Sequence, residues 1–153
     1  MPSGYVFRPR ALRPTAWLLP PTLAFARQQR SWAPPEWPLW EIYHQFWRDL
    51  YARHPETFGP RGEMIHQMGG AAFSIQDPVE AECAKYNEHS PGQLDTTAEH
   101  LAYASEWQLV LQIDSDTEVG MYWGDVGRLY LCARKQDLAA HRFDRSWIVM
   151  QCY

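Results

Sequence analysis

Long apolar runs and basic charge are both scarce in this chain of 153 residues. No segment approaches the roughly 20 consecutive apolar residues that a membrane-spanning helix needs. The formal net charge is −4, whereas a nucleic-acid-binding domain usually carries a basic face. We therefore expect neither a membrane nor a nucleic acid among the partners of this protein.

Cysteine is scarce as well. Cys83, Cys132 and Cys152 form no CxxC pair, and an odd number of cysteines without a disulfide framework is typical of a reducing compartment. The stretch "AWLLPPTLAFA", which follows Arg8–Arg13, is similar to a signal peptide, but Pro20-Pro21 splits its apolar run. We therefore expect a cytoplasmic protein, with secretion as the alternative.

The signatures of common enzymes and metal sites are absent too. The sequence contains no HExxH, no GxSxG, no P-loop and no GxGxxG. It therefore indicates no catalytic residue, no metal and no cofactor. Enzymatic activity stays an open question, and the sequence favours a protein that is not an enzyme.

An amphipathic helix is the clearest element that the sequence does contain. In "PLWEIYHQFWRDLYARHP" the apolar residues recur at helical spacing, which predicts a helix with one apolar face. Pro38 suits its first turn and Pro55 limits its end. Shorter helical segments are predicted at Thr22–Gln29, at "VEAECAKYNE" after a cap at Asp77-Pro78, and at Asp137–His141.

Strand-like patterns fill the last third of the chain. In "WQLVLQI", Gln108 and Gln112 interrupt the apolar residues, which predicts a strand with apolar residues on one face and the glutamines on the other. Four strands are predicted: Trp107–Ile113, Val119–Trp123, Arg128–Arg134 and Arg145–Cys152.

The fold class predicted from these elements is α+β. We expect a strand-rich mixed or antiparallel sheet with hairpins in the C-terminal third and one main amphipathic helix near residues 38–53. Residues 1–153 are expected to form a single domain, which begins with a Pro- and Arg-rich extended segment at residues 1–37.

Acidic residues cluster between two of the predicted strands, at Asp114, Asp116, Glu118 and Asp125. The alternation of the first three is similar to an EF-hand loop, but Val119 stands where that loop needs glycine. Aspartate favours turns by bonding its own backbone, and glycines supply the dihedral angles that tight turns need. We therefore interpret the acidic loop as turn chemistry. A calcium site and a hydrolytic carboxylate pair are the alternatives.

The segments "LQIDSDTEVGMYWGDVGRLYL" and "DLAAHRFDRSWIVMQCY" resemble the YwqG-like family of bacterial domains of unknown function, and "HQMGGAAFSIQD" is similar to an upstream segment of that family. The resemblance is strongest over residues 66–153. It implies that the chain is the C-terminal portion of a longer domain. It also implies a strand-rich α+β fold in a cytoplasmic bacterial protein, and it carries no catalytic residue over.

Abundant aromatic residues favour a non-enzymatic binding or interaction module, because Trp and Tyr anchor interfaces. A domain without its N-terminal part exposes strand edges, so we expect the partner to be another protein or a second copy of the chain. The alternative is an uncharacterised enzyme, or a small-ligand or metal binder, that uses the acidic loop at residues 114–125 with Arg128 or His66. The candidate binding residues are Asp114, Asp116, Asp125, Arg128, Trp123, Trp40, Tyr43 and Trp47.

Overall fold

A computed structural model describes residue 16 and residues 37–58, 65–87 and 97–153. The predicted helix Thr22–Gln29 lies outside these ranges, as does nearly all of the predicted extended segment at residues 1–37. The single domain over residues 1–153 stays a prediction.

The main amphipathic helix is confirmed. Helix α1 spans Trp37–Arg53, close to the bounds that its periodicity predicted. The other helical elements are α2 (Pro55–Phe58), α3 (Val79–Tyr86), α4 (Thr97–Ala104), α5 (Lys135–Ala139) and a 3-10 turn (Phe143–Arg145). Within the described ranges, no helix is long and apolar enough to cross a bilayer.

The strands form one antiparallel sheet, which together with the helices confirms the α+β class. They are β1 (Gln67–Met68), β2 (Trp107–Asp114), β3 (Arg128–Arg134) and β4 (Trp147–Gln151). Each strand pairs with the next along the chain, in the order β1-β2-β3-β4. Strand β4 is shorter than the predicted Arg145–Cys152, because Arg145 belongs to the 3-10 turn.

The strand predicted at Val119–Trp123 is wrong. Only an isolated bridge joins Asp116 to Met121, and a turn lies between them. The turn forms because Asp116 Oδ1 accepts a hydrogen bond from the Glu118 N–H at 2.9 Å and Gly120 adopts a φ of +81°. Residues 115–127 are therefore a connector between β2 and β3.

The predicted start of α3, with Asp77 as its cap and Pro78 in its first turn, is also wrong, because Pro78 itself takes the N-cap position and makes no side-chain cap bond. The N–H of Val79 instead donates to Ser74 Oγ at 3.3 Å. A serine hydroxyl further upstream therefore satisfies the first donor of α3.

A β-bulge in β2 changes which side chains face the core. Leu109 pairs with Cys132 and Leu111 pairs with Leu131, so Val110 is an extra residue in the ladder. After the bulge, Gln112 and Asp114 lie on the same buried face as Leu109. The predicted alternation for 107–113, with Gln112 on the polar face, is therefore wrong beyond Leu109.

The core lies on the inner face of the sheet, which helices α3 and α4 cover. Its buried members are mostly small or apolar: Ala72, Val79, Cys83, Ala84, Ala104, Trp107, Leu109, Tyr130, Cys132 and Val149. Helix α1 joins the same side through Trp47, whose ring meets that of Phe73 edge-on with centroids 4.6 Å apart. Helices α1, α3 and α4 thus pack on the inner side of the sheet, together with residues 72–77.

Candidate functional site

Asp114 and Arg128 face each other across β2 and β3 and form a buried ion pair. Arg128 Nε donates to Asp114 Oδ2 at 2.6 Å, and the two residues are 7% and 4% exposed. The same oxygen accepts the Ile65 N–H at 2.8 Å, while Oδ1 accepts the Ser115 N–H at 2.9 Å. The turn interpretation is therefore incomplete for Asp114, which joins a local turn contact to a long-range ion pair.

The guanidinium of Arg128 also reaches the backbone on the inner face. Its Nη1 donates to the carbonyl of Phe73 at 2.9 Å, and the Tyr130 hydroxyl donates to the same carbonyl at 2.8 Å. Burial by itself would lower the pKa of Arg128, but the charge and hydrogen bond of Asp114 outweigh it and raise that pKa. Burial likewise raises the pKa of Tyr130, so its hydroxyl stays a donor.

Gln112 holds two further backbone groups. Its Oε1 accepts the Phe73 N–H at 2.9 Å, and its Nε2 donates to the Ile65 carbonyl at 2.8 Å. Its fully buried amide therefore has a partner at each end, as a buried polar group requires.

Gln151 on β4 performs the same task on the same face, at the opposite edge of the sheet. Its Oε1 accepts the N–H groups of Ile75 and Gln76 at 2.9 and 3.1 Å. Its Nε2 donates to the carbonyl of Asp77 at 2.7 Å and to the carboxylate of Glu82. Gln151 therefore fixes the end of the chain segment that leads into α3.

These contacts define an inner polar network, made of Gln112, Asp114, Arg128, Tyr130 and Gln151. The network holds a crossing segment, residues 65–77, whose backbone passes over the inner face. The crossing segment pairs as a strand only at β1, so side chains of the sheet satisfy backbone groups that a ladder would otherwise satisfy. The hydrogen bonds of this network therefore hold the backbone of the crossing segment in place.

His66 lies at the border of the network, with 33% of its side chain exposed. Its Nδ1 accepts the Asp114 N–H at 3.1 Å, and its Nε2 is 4.0 Å from Asp116 Oδ2. Burial lowers the pKa of His66, and the charges of Asp114 and Asp116 offset part of that effect. The structure therefore brings together Asp114, Asp116, Arg128 and His66.

Asp125 and Trp123 occupy different positions in the connector. Asp125 is exposed in the turn after Gly124, and its carbonyl accepts the Tyr153 N–H at 3.4 Å. The indole of Trp123 donates to the carbonyl of Asp114 at 3.2 Å. Trp123 therefore braces the end of β2, whereas the carboxylate of Asp125 faces solvent.

The structure places the candidate residues of α1 in two ways. Trp47 is 5% exposed and packs between Phe73 and Tyr51. The side chains of Trp40 and Tyr43 lie outside what the structure describes. Across the described ranges, no three His, Cys, Asp or Glu side chains are grouped so that they could hold a metal ion.

The outer face of the sheet was not identified from the sequence as a candidate surface. The bulge and the ladder place these apolar residues there: Met68, Leu111, Ile113, Leu129, Leu131, Ile148 and Met150. We call this set the outer sheet face. Its most accessible members are Met68 at 81%, Ile148 at 61% and Met150 at 52% exposure. The sequence of β4 did carry a signal for this surface, because "WIVMQ" is apolar at both inward and outward positions.

The fold and the inner polar network define an α+β domain in which an antiparallel sheet holds a crossing segment through polar side chains. The chain belongs to the family described as "Domain of unknown function (DUF1963)", whose model matches residues 14–152. No curated protein matches the chain.

Proposed function

We propose that this protein is a non-enzymatic interaction module that binds another protein chain through its outer sheet face. The observation that carries the proposal is the exposure of Met68, Ile148 and Met150 on one continuous apolar surface. Contiguous exposed apolar patches are typical of protein interaction sites. We also propose that it is a YwqG-like bacterial member of its family, in line with the segments quoted above.

The distribution of polar residues supports a covered outer face. An antiparallel sheet with one face in water alternates apolar and polar residues. In β3 and β4, the outward positions are instead Leu129, Leu131, Ile148 and Met150. Each square ångström of apolar surface removed from water contributes about 25 cal/mol. A partner that covers this face therefore gains binding free energy from apolar burial alone, without a charged contact.

The inner polar network supports the same proposal, because its groups are already engaged. Both oxygens of Asp114 accept hydrogen bonds, and Arg128 donates to a carboxylate and to a carbonyl. A catalytic or ligand-binding role for the acidic loop would need some of these contacts to break. The enzyme alternative therefore has weaker support than the interaction module.

A reducing, cytoplasmic location is part of the proposal. Cys83 of α3 and Cys132 of β3 both lie buried in the core and carry free thiols. Buried free cysteines behave as small apolar residues and persist where thiols stay reduced.

Site-specific photo-crosslinking tests the proposed surface. A photoreactive phenylalanine analogue replaces Ile148 in the full chain, which is produced in cells and irradiated. The matched control carries the same analogue at Tyr86, which is 59% exposed on α3, on the other side of the sheet. We expect the probe at position 148 to yield an adduct with a polypeptide, localised by peptide mass spectrometry. No polypeptide adduct above the level of the Tyr86 control would contradict the interaction module.

A further inference from the structure

We propose that the partner contributes an extended segment that pairs through main-chain hydrogen bonds with the β4 edge, the side of β4 that faces away from β3. The inference rests on the proposed function, because Ile148 and Met150 of the outer sheet face belong to this strand. It adds the chemistry of the partner, which is a short strand of another protein.

The pairing of β2 with β3 determines which backbone groups of β3 face β4. The Ser115 N–H donates to the Gly127 carbonyl at 3.2 Å, directly beside the pair of Asp114 and Arg128. That pair is therefore a non-hydrogen-bonded pair of the β2–β3 ladder, and the N–H and C=O of Arg128 point towards β4. Because the two kinds of pair alternate along an antiparallel ladder, every second residue of β3 after Arg128 does the same.

The β4 edge consequently presents the backbone of Ile148 and Met150. Trp147, Val149 and Gln151 pair with the residues of β3 whose backbone faces them. The two residues between them turn their N–H and C=O groups outwards. In the part of the chain that the structure describes, β3 is the only strand beside β4, and no backbone bond from another element reaches these outward groups. An extended chain has N–H and C=O groups at the matching spacing and can pair with all of them.

Strand β4 lacks the features that protect edge strands from such pairing. Protected edges are very short, or carry lysine, proline or a β-bulge. The sequence "WIVMQ" contains no charged residue and no proline, and its register with β3 is regular over all five pairs. Strand β1, at the opposite edge, has two residues, and the chain turns at Gly69 and Gly70, which both have positive φ. Strand β4, rather than β1, is therefore the edge that fits an added strand.

Contacts at both ends limit the length of the added strand. The Ser146 N–H donates to the Phe143 carbonyl at 3.1 Å, and the Cys152 carbonyl accepts a hydrogen bond from Gln76 Nε2 at 2.7 Å. The open stretch therefore covers residues 148–150. Such a stretch suits a short extended segment of a partner.

The side chains at the β4 edge and the charge of the chain define the composition of that segment. Ile148 is 61% exposed and Met150 is 52% exposed. Side chains of cross-strand neighbours lie on the same face of a sheet, so apolar residues at alternate positions of the segment would cover both. The net charge of −4 opposes an acidic segment and also a second copy of the chain. We therefore expect an uncharged or basic segment of another protein, with apolar residues at every second position.

Peptide binding tests the strand addition with a defined probe. A display library of short random peptides is selected against the purified full chain, and the tightest binder is synthesised with a fluorescent label for anisotropy measurements. N-methyl groups then replace its backbone N–H groups one at a time. We expect affinity to fall about tenfold or more at every second position and to change little between them, because alternate N–H groups of an added strand face β4. The absence of a binder, or a scan without this period of two, overturns the proposal.

Two substitutions at Met150 assign the peptide to the β4 edge. Met150→Ala and Met150→Pro both remove the apolar side chain, but only proline also removes the N–H. An edge strand tolerates proline where its N–H points away from the sheet. We expect Met150→Pro to bind the peptide about tenfold or more weakly than Met150→Ala. Equal affinities of these two variants overturn the assignment.

Circular dichroism and thermal unfolding check that both variants fold. If Met150→Pro does not, the pair of Ile148→Pro and Ile148→Ala replaces it, with the same expected difference and the same contradicting result. The N-methyl scan uses the wild-type chain and needs no variant.

The crosslinking experiment separates this inference from the proposed function when the probe at position 148 is combined with Met150→Pro or Met150→Ala. A polypeptide adduct that survives the alanine substitution but not the proline substitution supports both. An adduct that survives both substitutions equally retains the interaction module and overturns strand addition. No adduct above the Tyr86 control, together with no peptide binding, overturns both.

Sedimentation equilibrium of the purified full chain tests the other occupant of the edge, a second copy. We expect a monomer of 17.9 kDa. A dimer that Met150→Pro dissociates and Met150→Ala does not would show that a second copy pairs with β4, and would overturn the assignment to another protein.

Discussion

Asp114 and Asp116 lie two positions apart, yet their carboxylates make different kinds of contact. Asp116 makes a local turn contact, because its Oδ1 accepts the Glu118 N–H. Asp114 neutralises Arg128 in the interior and also holds the backbone of Ile65. The same residue type therefore supplies turn chemistry at one position and an electrostatic link between distant segments at the other.

Substitution to asparagine should distinguish these two roles. Asp114→Asn leaves the Arg128 charge buried without its partner, so we expect a loss of about 3–5 kcal/mol in the free energy of unfolding. Asp116→Asn keeps an oxygen that accepts the Glu118 N–H, so we expect a loss below about 0.5 kcal/mol, against about 0.5–1.5 kcal/mol for Asp116→Ala. Urea denaturation measures all three. Equal losses for Asp114→Asn and Asp116→Asn would show that Asp114 is only a turn residue.

His66 should make stability depend on pH. Its folded pKa lies below the ordinary 6.5 because burial disfavours the charged ring. The unfolded chain therefore binds more protons just below pH 6.5, and the contribution of His66, complete above that pH, is lost as the pH falls towards the folded pKa. Glu80 and Glu82 act in the opposite direction, because burial raises their pKa values above 4.5 and their contribution is lost as the pH rises.

His66→Asn isolates the histidine from these carboxylates. The asparagine oxygen can still accept the Asp114 N–H, but the side chain does not titrate. We expect the wild type to lose more stability than the variant between pH 8 and pH 5.5, as measured by urea denaturation. Any difference in the free energy of unfolding between the two proteins at pH 8 measures contacts that do not depend on the protonation of His66. Parallel pH profiles for the two proteins would contradict the assignment.

At the scale of elements, the β2–β3 connector depends on close backbone approach at Gly127. A Cβ at this position would collide with the carbonyl oxygens of Gln151 and Trp123. Gly120 differs, since a Cβ there meets nothing within 4 Å but its φ of +81° disfavours a side chain. Gly127 is therefore needed for close packing of the backbone, and Gly120 is needed for its positive φ.

Alanine substitution should separate contact from conformation. We expect Gly127→Ala to cost about 3 kcal/mol or more, because rigid backbone oxygens must move. Gly120→Ala should cost about 1 kcal/mol, the usual price of an unfavourable positive φ. Thermal unfolding of both variants measures the order. A larger loss for Gly120→Ala would contradict the contact at Gly127.

Elements with a strong local pattern could be predicted from the sequence, whereas elements defined by distant contacts could not. The periodicity of α1 and the apolar runs of β2 and β3 identify those elements. The bulge at Val110 leaves no mark in a local pattern, so the inward position of Gln112 was missed. Helix α4 was missed as well; it packs Ala104 into the core, and a local pattern does not show such a distant contact.

The same contrast between local patterns and distant contacts explains why only part of the candidate site was predicted. Asp114, Asp116 and Arg128 were chosen as an acidic loop and its basic neighbour, and the structure does bring them near His66. The role of Gln151 was missed, because its backbone partners lie some 75 residues earlier in the chain. Local patterns therefore identify charged residues, while the network that uses them is a property of the sheet.

At the scale of the whole molecule, the reactivity of the three thiols depends on how tightly α3 packs against the sheet. Cys83 on α3 and Cys132 on β3 are both fully buried, whereas Cys152 after β4 is partly exposed. A hydrogen bond with Cys83, together with burial, raises the pKa of Cys132 and suppresses its reactive thiolate. Reaction at either core thiol therefore requires α3 to separate from the sheet.

Thiol labelling should consequently show one fast site and two protected ones. We expect Cys152 to react first with a disulfide reagent, and Cys83 and Cys132 to react on the order of 100-fold more slowly, because they need an opening of the core. Cys152→Ser should abolish the fast phase and leave the slow phase unchanged, and all three thiols should react at once in denaturant. Mass spectrometry of the labelled peptides assigns each phase. Fast labelling of Cys83 in the folded chain would show that α3 is not held against the sheet. It would then contradict the role that the contacts of Gln151 imply, in which the crossing segment holds α3 in place.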